Sequence, residues 1–255
     1  MNDVADWWKT AIIDMEPGRI HLRGKPIQDL IGNLSFAEMI WLMVRGDQPS
    51  PGQMQLFEAA LVSAVDHGPQ APSIAAARMA VTCGLPLNNA MASAINMLGD
   101  VHGGAGEQAV ELYHHIDTHP EGAGAALDSW IAARGQIIPG FGHRFHTPTD
   151  PRAPRLMDLV QEAVEQGACS GRYMEIAQFV EAELMCRKSR PIPMNIDGAT
   201  AVIYAELGFA PPLARGLFCL SRSVGILAHA WEQGQQGGRN KGPTPPRYRW
   251  TYTGD

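Results

Sequence analysis

Glycine and proline cut the stretch from Ser35 to Gln236 into short blocks rich in Ala, Leu, Met, Glu and Gln. Such residues favour helices, and the apolar–polar alternation of a half-buried strand is scarce. The pattern predicts an all-α chain of about ten helices with short connections. Ser35 with Glu38 has the capping-box spacing and opens a helix through Trp41 to Arg45, ending at Gly46. The next starts near Pro51, carries Leu56, Ala60, Val62 and Val65, and stops at Asp66-His67-Gly68-Pro69. Further helices are expected over 73–84, 88–99, 107–115, 124–133, 151–166, 173–186, 198–207 and 212–233. Their Ala and Gly content predicts close helix–helix packing. The opening differs: residues 12–22 place Glu16-Pro17-Gly18 between two short extended segments, the signal of a small hairpin.

Of 255 residues, 45% are apolar and 18% charged, which supports a core rather than disorder. The apolar stretch around Met39 to Val44 falls far short of the ~20 residues that cross a bilayer. Early acids and no basic n-region argue against a secretory or transit peptide, so a cytoplasmic location is expected. The net charge of −6, with no basic run before the tail, argues against a nucleic-acid partner. Cys83, Cys169, Cys186 and Cys219 lie far apart and read as reduced, mostly packing residues. The Pro-rich tail from Gly242 follows an extended path. It is either a frayed terminus or, given Tyr248, Trp250 and Tyr252, an arm that docks on a second subunit.

An acidic protein that handles anions must gather its cations locally. His67, His102 and His143 each sit at a break between helices, in Gly- or Pro-rich surroundings. Each is either a cap or surface residue, or part of a site built on helix ends. Asp150-Pro151-Arg152 suits a helix start, with Asp150 as cap and Pro151 at the first position. Arg152 then either binds a carboxylate or phosphate at the positive helix end, or pairs with Asp158 or Glu162 in solvent. Asp197 is either the cap of the next helix or a catalytic carboxylate. Arg222 has apolar neighbours along its helix, so it needs a partner: a structural carboxylate or an anionic ligand, with Gly225 leaving room beside it. His114, His115 and His119 are close but lack a metal-site spacing, so no metal is expected and an exposed helix end is the reading. No Walker loop, G-x-G-x-x-G unit or G-x-S-x-G motif is present.

Six segments occur in an order that resembles the citrate synthases. They are Val65-Asp66-His67-Gly68, Val101-His102-Gly103-Gly104-Ala105, Gly140-Phe141-Gly142-His143-Arg144, Asp150-Pro151-Arg152-Ala153, Asn195-Ile196-Asp197, and Ser221-Arg222 through Gly225 to His229. The likeness runs from about Ile12 to the terminal Tyr252-Thr253-Gly254, and the stretch after Leu22 also resembles that superfamily's N-terminal pattern. The chain is shorter than a usual synthase. Its compactness is more similar to stand-alone citryl-CoA lyase and to the C-terminal lyase module of ATP-citrate lyase. Asp66-His67-Gly68-Pro69 is especially similar to that module, whereas His102-Gly103-Gly104 is closer to the synthases.

The resemblance implies an all-α fold with a large and a small helical domain. The large domain would comprise residues 1–110 and 215–255, and the small one 111–214. It implies a homodimer or dimer of dimers with the site near the interface. His102 would hold the thioester oxygen, and Asp197 would move the proton at the adjacent carbon. His143 would hold the hydroxyl or keto oxygen of the C4 unit and exchange a proton with it. His67, Arg152 and Arg222 would bind that unit's oxygens and carboxylates, and Arg247 or Arg249 would reach the partner's site. Synthases commonly carry a basic residue after the Gly-His-Arg motif; here Phe145-His146-Thr147-Pro148 stands there. That leaves Arg144, His146 and Lys241 as candidate contacts for coenzyme A, which enters as part of the substrate; no tightly bound cofactor is implied.

The leading expectation is therefore a citryl-CoA lyase acting on acyl-CoA and di- or tricarboxylate substrates. Alternatives are a short synthase condensing acetyl-CoA with a 2-oxo acid, a lyase for a related 3-hydroxyacyl-CoA, and a catalytically silent partner subunit. A metal hydrolase stands further off.

Overall fold

The computed structural model describes residues 4–188 and 191–254. Two compact units divide the chain, Met1–Glu58 and Ala59–Asp255. The expected boundaries at 110 and 214 both fall within the second unit.

After a single 3-10 turn at Val4–Asp6, the first unit forms a three-stranded antiparallel sheet: β1 (Ile13–Glu16), β2 (Arg19–Leu22) and β3 (Lys25–Pro26), in sequence order. The β1–β2 turn sits at Pro17-Gly18, where Gly18 adopts φ 79°. Two helices follow, α1 (Ile27–Leu30) and α2 (Phe36–Arg45), and then the start of α3 (Pro51–Ser63). Ser35 and Glu38 form the reciprocal capping box, and Gly46 ends α2 in the left-handed conformation. The unit is pinned by Trp41, whose ring meets Phe57 edge-on, and by Arg23, whose guanidinium donates to the Met43 carbonyl.

The second unit contains α4 (Pro72–Thr82), α5 (Leu87–Ile95), α6 (Ala105–Thr118), α7 (Ala123–Arg134), α8 (Arg152–Glu165), α9 (Arg172–Arg187), α10 (Ile196–Glu206) and α11 (Pro211–Gln236). Helices α4, α5 and α11 share a core of Ala71, Ile74, Ala77, Ala90, Ala94, Ile226 and Ala230. Side chains this small bring helix axes close together. Helix α10 is apolar on every side, and Ile196 and the run Gly198–Ala205 are buried against α6, α8 and α9.

The sequence-expected helices lie within a few residues of those observed. One end differs for a physical reason. Helix α3 stops at Ser63 rather than running past Val65, because α11 takes the next carbonyls. The four cysteines are free, but Cys83 and Cys186 are exposed rather than packed. The tail is irregular and exposed at Tyr248, Trp250 and Tyr252, and is tied near its start by Asn240 N–H to the Thr82 carbonyl. Among the described residues, no helix is long and apolar enough to cross a membrane.

Candidate functional site

The segment that leads to His67 is held by α11. Ser221 Oγ donates to the Leu61 carbonyl, Arg222 Nε to the Ala64 carbonyl (3.1 Å) and Gly225 N–H to the Val65 carbonyl (3.1 Å). A Cβ at Gly225 would overlap the Val65 oxygen. The room beside Gly225 is thus filled by the backbone just before His67.

His102 faces the start of α4. Its Nε2 lies 3.2 Å from the Ser73 N–H and 3.0 Å from Ser73 Oγ. Ser73 is fully buried in the first turn of α4, where N–H groups lack helical partners. A backbone N–H only donates, so Nε2 accepts and the proton of the neutral ring sits on Nδ1. Burial, followed by the charge of Arg222, lowers the pKa of His102. In the sequence Ser73 marks only a helix start. Its signal is a small polar residue one position after Pro72, six residues after His67.

His143 sits on a loop fastened to the start of α10. Gly142 N–H donates to the Pro193 carbonyl (2.7 Å), Asn195 N–H to Gly140 (3.0 Å) and Asn195 Nδ2 to Gly142 (2.6 Å). Gly140 and Gly198 approach so closely that a Cβ on either would overlap the other's backbone. His143 Nδ1 accepts from the N–H groups of Phe145 (3.0 Å) and His146 (2.9 Å). The proton of the neutral ring is therefore on Nε2. Burial lowers the His143 pKa, aided by His146. The His67 ring meets His143 edge-on at 5.3 Å, and its pKa falls to about 4 through burial and the charges of Arg222 and Arg152.

Two aspartates flank these rings. Asp150 is 1% exposed. Its carboxylate accepts from Arg152 Nε (3.0 Å), Arg152 Nη2 (2.8 Å), and the N–H groups of Arg152 and Ile196 (3.1 Å each). Burial alone would raise its pKa, but these donors win and hold it at about 2. Arg152 therefore pairs with Asp150, not with Asp158 or Glu162. Helix α8 starts one residue later than expected: Pro151 stands at the cap rather than at the first helical position, and Asp150, just before it, accepts from the Arg152 N–H. At α10 the cap is Asn195, whose Oδ1 accepts from Asp197 and Gly198 N–H. The Asp197 carboxylate is thereby released from capping. Its pKa is raised by burial, against the pull of Arg222 and Arg152. Arg222 is 5% exposed with its guanidinium 4.8 Å from the Phe218 ring. Among the described residues its hydrogen bond is the one from Nε, and the charges of Asp197 and Asp66 act on the guanidinium.

His67, His102, His143, Arg152, Asp197 and Arg222 thus form one electrostatically coupled cluster. A cavity of about 870 Å³ opens beside His143 and is lined by Ile138, Phe141, Arg144, His146 and Lys188, among others. Its described lining has cations and no carboxylate, which suits an anionic chain. Lys188, absent from the sequence reading, donates to Gln136 Oε1 at its rim. Lys241 is not in this lining; its N–H donates to Thr82 Oγ1 at the end of α4. Arg247 stacks on Tyr248 in the exposed tail, and Arg249 lies two residues further on; neither joins the cluster within this chain. Among the described residues, no group of three or more His, Cys, Asp or Glu is disposed to hold a metal.

Chemically, the cluster offers a carboxyl group with raised proton affinity, two neutral imidazoles presenting opposite nitrogens as donors, and two guanidiniums. That set can move a proton at a carbon next to a carbonyl while hydrogen-bonding the oxygen and fixing carboxylates.

Residues 43–244 match the family described as citrate synthase, C-terminal domain. The citrate synthase of Saccharolobus solfataricus is 31% identical over 200 residues, covering 78% of this chain and 52% of that protein. The Haloferax volcanii citrate synthase is 30% identical over 206 residues, again covering 52% of its length. The chain thus spans about half the length of these curated relatives. The structure of citryl-CoA lyase from Hydrogenobacter thermophilus superposes with a TM-score of 0.88 at 32% identity, covering 98% of this chain and 95% of that one. ATP citrate lyase from Methanothrix soehngenii, solved with citrate and coenzyme A, shares the fold at TM-score 0.83 and 21% identity, with 98% of this chain on 42% of that one.

Proposed function

From the membership of this chain in the citrate synthase family, we propose that it is a citryl-CoA lyase, cleaving citryl-CoA to acetyl-CoA and oxaloacetate. One observation carries the choice within the family: the citryl-CoA lyase of Hydrogenobacter thermophilus superposes end to end with a TM-score of 0.88, whereas the citrate synthase of Thermotoga maritima, matched over a similar share of both chains, reaches 0.58.

The bond between the carbinol carbon and the thioester CH₂ breaks. Its electron pair moves into the thioester, whose oxygen is held by His102 Nδ1–H in a site shielded from water. The Asp197 carboxyl protonates that carbon to give the methyl group of acetyl-CoA. The hydroxyl oxygen becomes the ketone of oxaloacetate, held by the Nε2–H of His143, and the hydroxyl proton passes by exchange at that edge to solvent. Solvent returns a proton to Asp197, so no net proton is gained or lost. Arg152, Arg222 and His67 orient the carboxylates and oxygens of the C4 unit, and one arginine of the tail, Arg247 or Arg249, serves the site of a second copy. The coenzyme A arm occupies the 870 Å³ cavity, with Arg144, Lys188 and His146 near its phosphates. Residues 111–214 move as the small domain of a homodimer.

A second reading is a short synthase, favoured by the curated relatives' names and by the His102-Gly103-Gly104 motif. Two assays separate the readings. Purified enzyme with citryl-CoA is followed by reduction of the oxaloacetate formed. Enzyme with acetyl-CoA and oxaloacetate is followed by free thiol. Rapid oxaloacetate formation without thiol release is the expected result. Thiol release in the second assay overturns the lyase reading in favour of the synthase.

A further inference from the structure

His229 closes the motif that begins at Ser221 and has no part in the cleavage step. It lies on the same side of α11 as Arg222 and Gly225, one turn beyond Gly225. Its Nε2 lies 3.2 Å from Asp66 Oδ1, and its Nδ1 lies 3.1 Å from Arg78 Nη1. A guanidinium has donors only, so Nδ1 accepts and the N–H at Nε2 points to Asp66. Arg78 also donates to Glu232 (2.7 Å) and Gln236 (2.8 Å), so it is itself locked onto α11. The other Asp66 oxygen, Oδ2, accepts from the Gly68 N–H at 3.2 Å. The two oxygens of Asp66 therefore bracket His67: one is tied to α11, the other to the backbone just beyond the imidazole. Gly68 completes the turn at φ 79°.

This matters because the His67 ring, among the described residues, makes no hydrogen bond of its own; its neighbours are the edges of His143 and Phe145. Its direction is set by the turn that carries it. That turn is gripped by consecutive contacts from one helix: Ser221 to residue 61, Arg222 to residue 64, Gly225 to residue 65 and His229 to residue 66. The same helix carries the Arg222 guanidinium, so one rigid element sets the spacing of both groups. Arg78 adds α4, which also presents Ser73 to His102.

We propose that His229 is a positioning residue: through Asp66, and with its tautomer set by Arg78, it holds the 65–68 turn so that His67 and Arg222 meet one substrate carboxylate or oxygen together. The kinetic part of this inference rests on the reading of His67 as a ligand of the C4 unit; the geometric part does not.

The test compares His229→Leu with His229→Gln, whose amide N–H reaches about as far as Nε2. The first readout is the His67 imidazole by nuclear magnetic resonance, assigned by the signal lost in His67→Gln. In His229→Leu the His67 ring signals shift and its protonation midpoint rises as the ring swings toward water. His229→Gln restores both. The second readout is steady-state cleavage. His229→Leu raises KM for citryl-CoA on the order of tenfold with kcat within about threefold, and adds nothing further on top of His67→Gln. Unchanged His67 signals in His229→Leu overturn the proposal. So does a KM effect that adds fully to that of His67→Gln. If neither citryl-CoA nor acetyl-CoA with oxaloacetate is turned over, the functional reading fails while the resonance readout still decides the positioning role.

Discussion

The α4–α11 pair and the loop of residues 140–150 each hold an imidazole in a fixed tautomer, the first from across the site and the second within the loop, and they fix opposite nitrogens by different means. On the helix side, the orphan N–H of Ser73 occupies His102 Nε2 and leaves Nδ1–H outward, and the frame behind it is close packing of alanines against Ile74 and Ile226. On the loop side, two backbone N–H groups occupy His143 Nδ1 and leave Nε2–H outward, and the frame is a set of short hydrogen bonds around Asp150 and Asn195. The difference teaches where each half is vulnerable. The helix side answers to changes of volume, the loop side to changes of charge. Asp197 and His67 lie between them and answer to both.

The largest effect is expected where the two regions converge. Asp197→Asn keeps the fold but lowers turnover by about 10³-fold, the scale of a lost proton-transfer group. Steady-state kinetics with a thermal melt checks this, and near-normal turnover removes Asp197 from its role. Next comes charge on the loop side. Asp150→Asn leaves Arg152 without its carboxylate and costs on the order of 3 kcal/mol. Urea denaturation measures it, and a loss below about 0.5 kcal/mol would contradict a loop held by charge. Volume on the helix side follows. Gly225→Ala forces a methyl group into the Val65 carbonyl and costs about 2 kcal/mol. The same substitution at Gly216, where nothing lies within 4 Å, is neutral or stabilising.

The gentlest probe is pH. Burial and the charges of Arg222 and Arg152 hold the folded His67 pKa at about 4, below its ordinary value of 6.5. The unfolded chain then binds a proton that the folded chain refuses. Stability from the neutral ring is complete above pH 6.5 and declines as pH falls toward about 4. His102 and His143, also lowered, add to the same slope. Denaturation curves across this window should steepen their loss with acid in the native chain and flatten in His67→Gln. An equal slope in both would mean that His67 is not held neutral.

Much of the helical frame was legible because Gly and Pro mark ends and because Ala, Leu and Glu propagate between them. What failed was local and had a tertiary cause: α3 ends early because α11, about 160 residues later, takes the carbonyls of residues 64 and 65. The clustering of His67, His143, Arg152, Asp197 and Arg222 was foreseeable from ordered motifs, not from periodicity. The partners that give those residues their chemical state were not. Ser73, the Asp150–Arg152 pair, Lys188 and the Arg78–His229–Asp66 relay join residues up to 163 positions apart, and no spacing in the chain reveals them. The cap at α10 is instructive in the same way. Asn195 and Asp197 are both good capping residues, and only the geometry decides that Asn195 caps and Asp197 is left for the site.

The central claim is that Asp197 carries the proton at the carbon beside the thioester while His102 holds the thioester oxygen. It is tested most directly in deuterated water, with acetyl-CoA and a C4 dicarboxylate that bears a hydroxyl in place of the ketone, so that no carbon–carbon bond forms. The account predicts deuterium incorporation into the acetyl methyl group by the native chain and its loss in Asp197→Asn. Exchange at the native rate in that variant would contradict it.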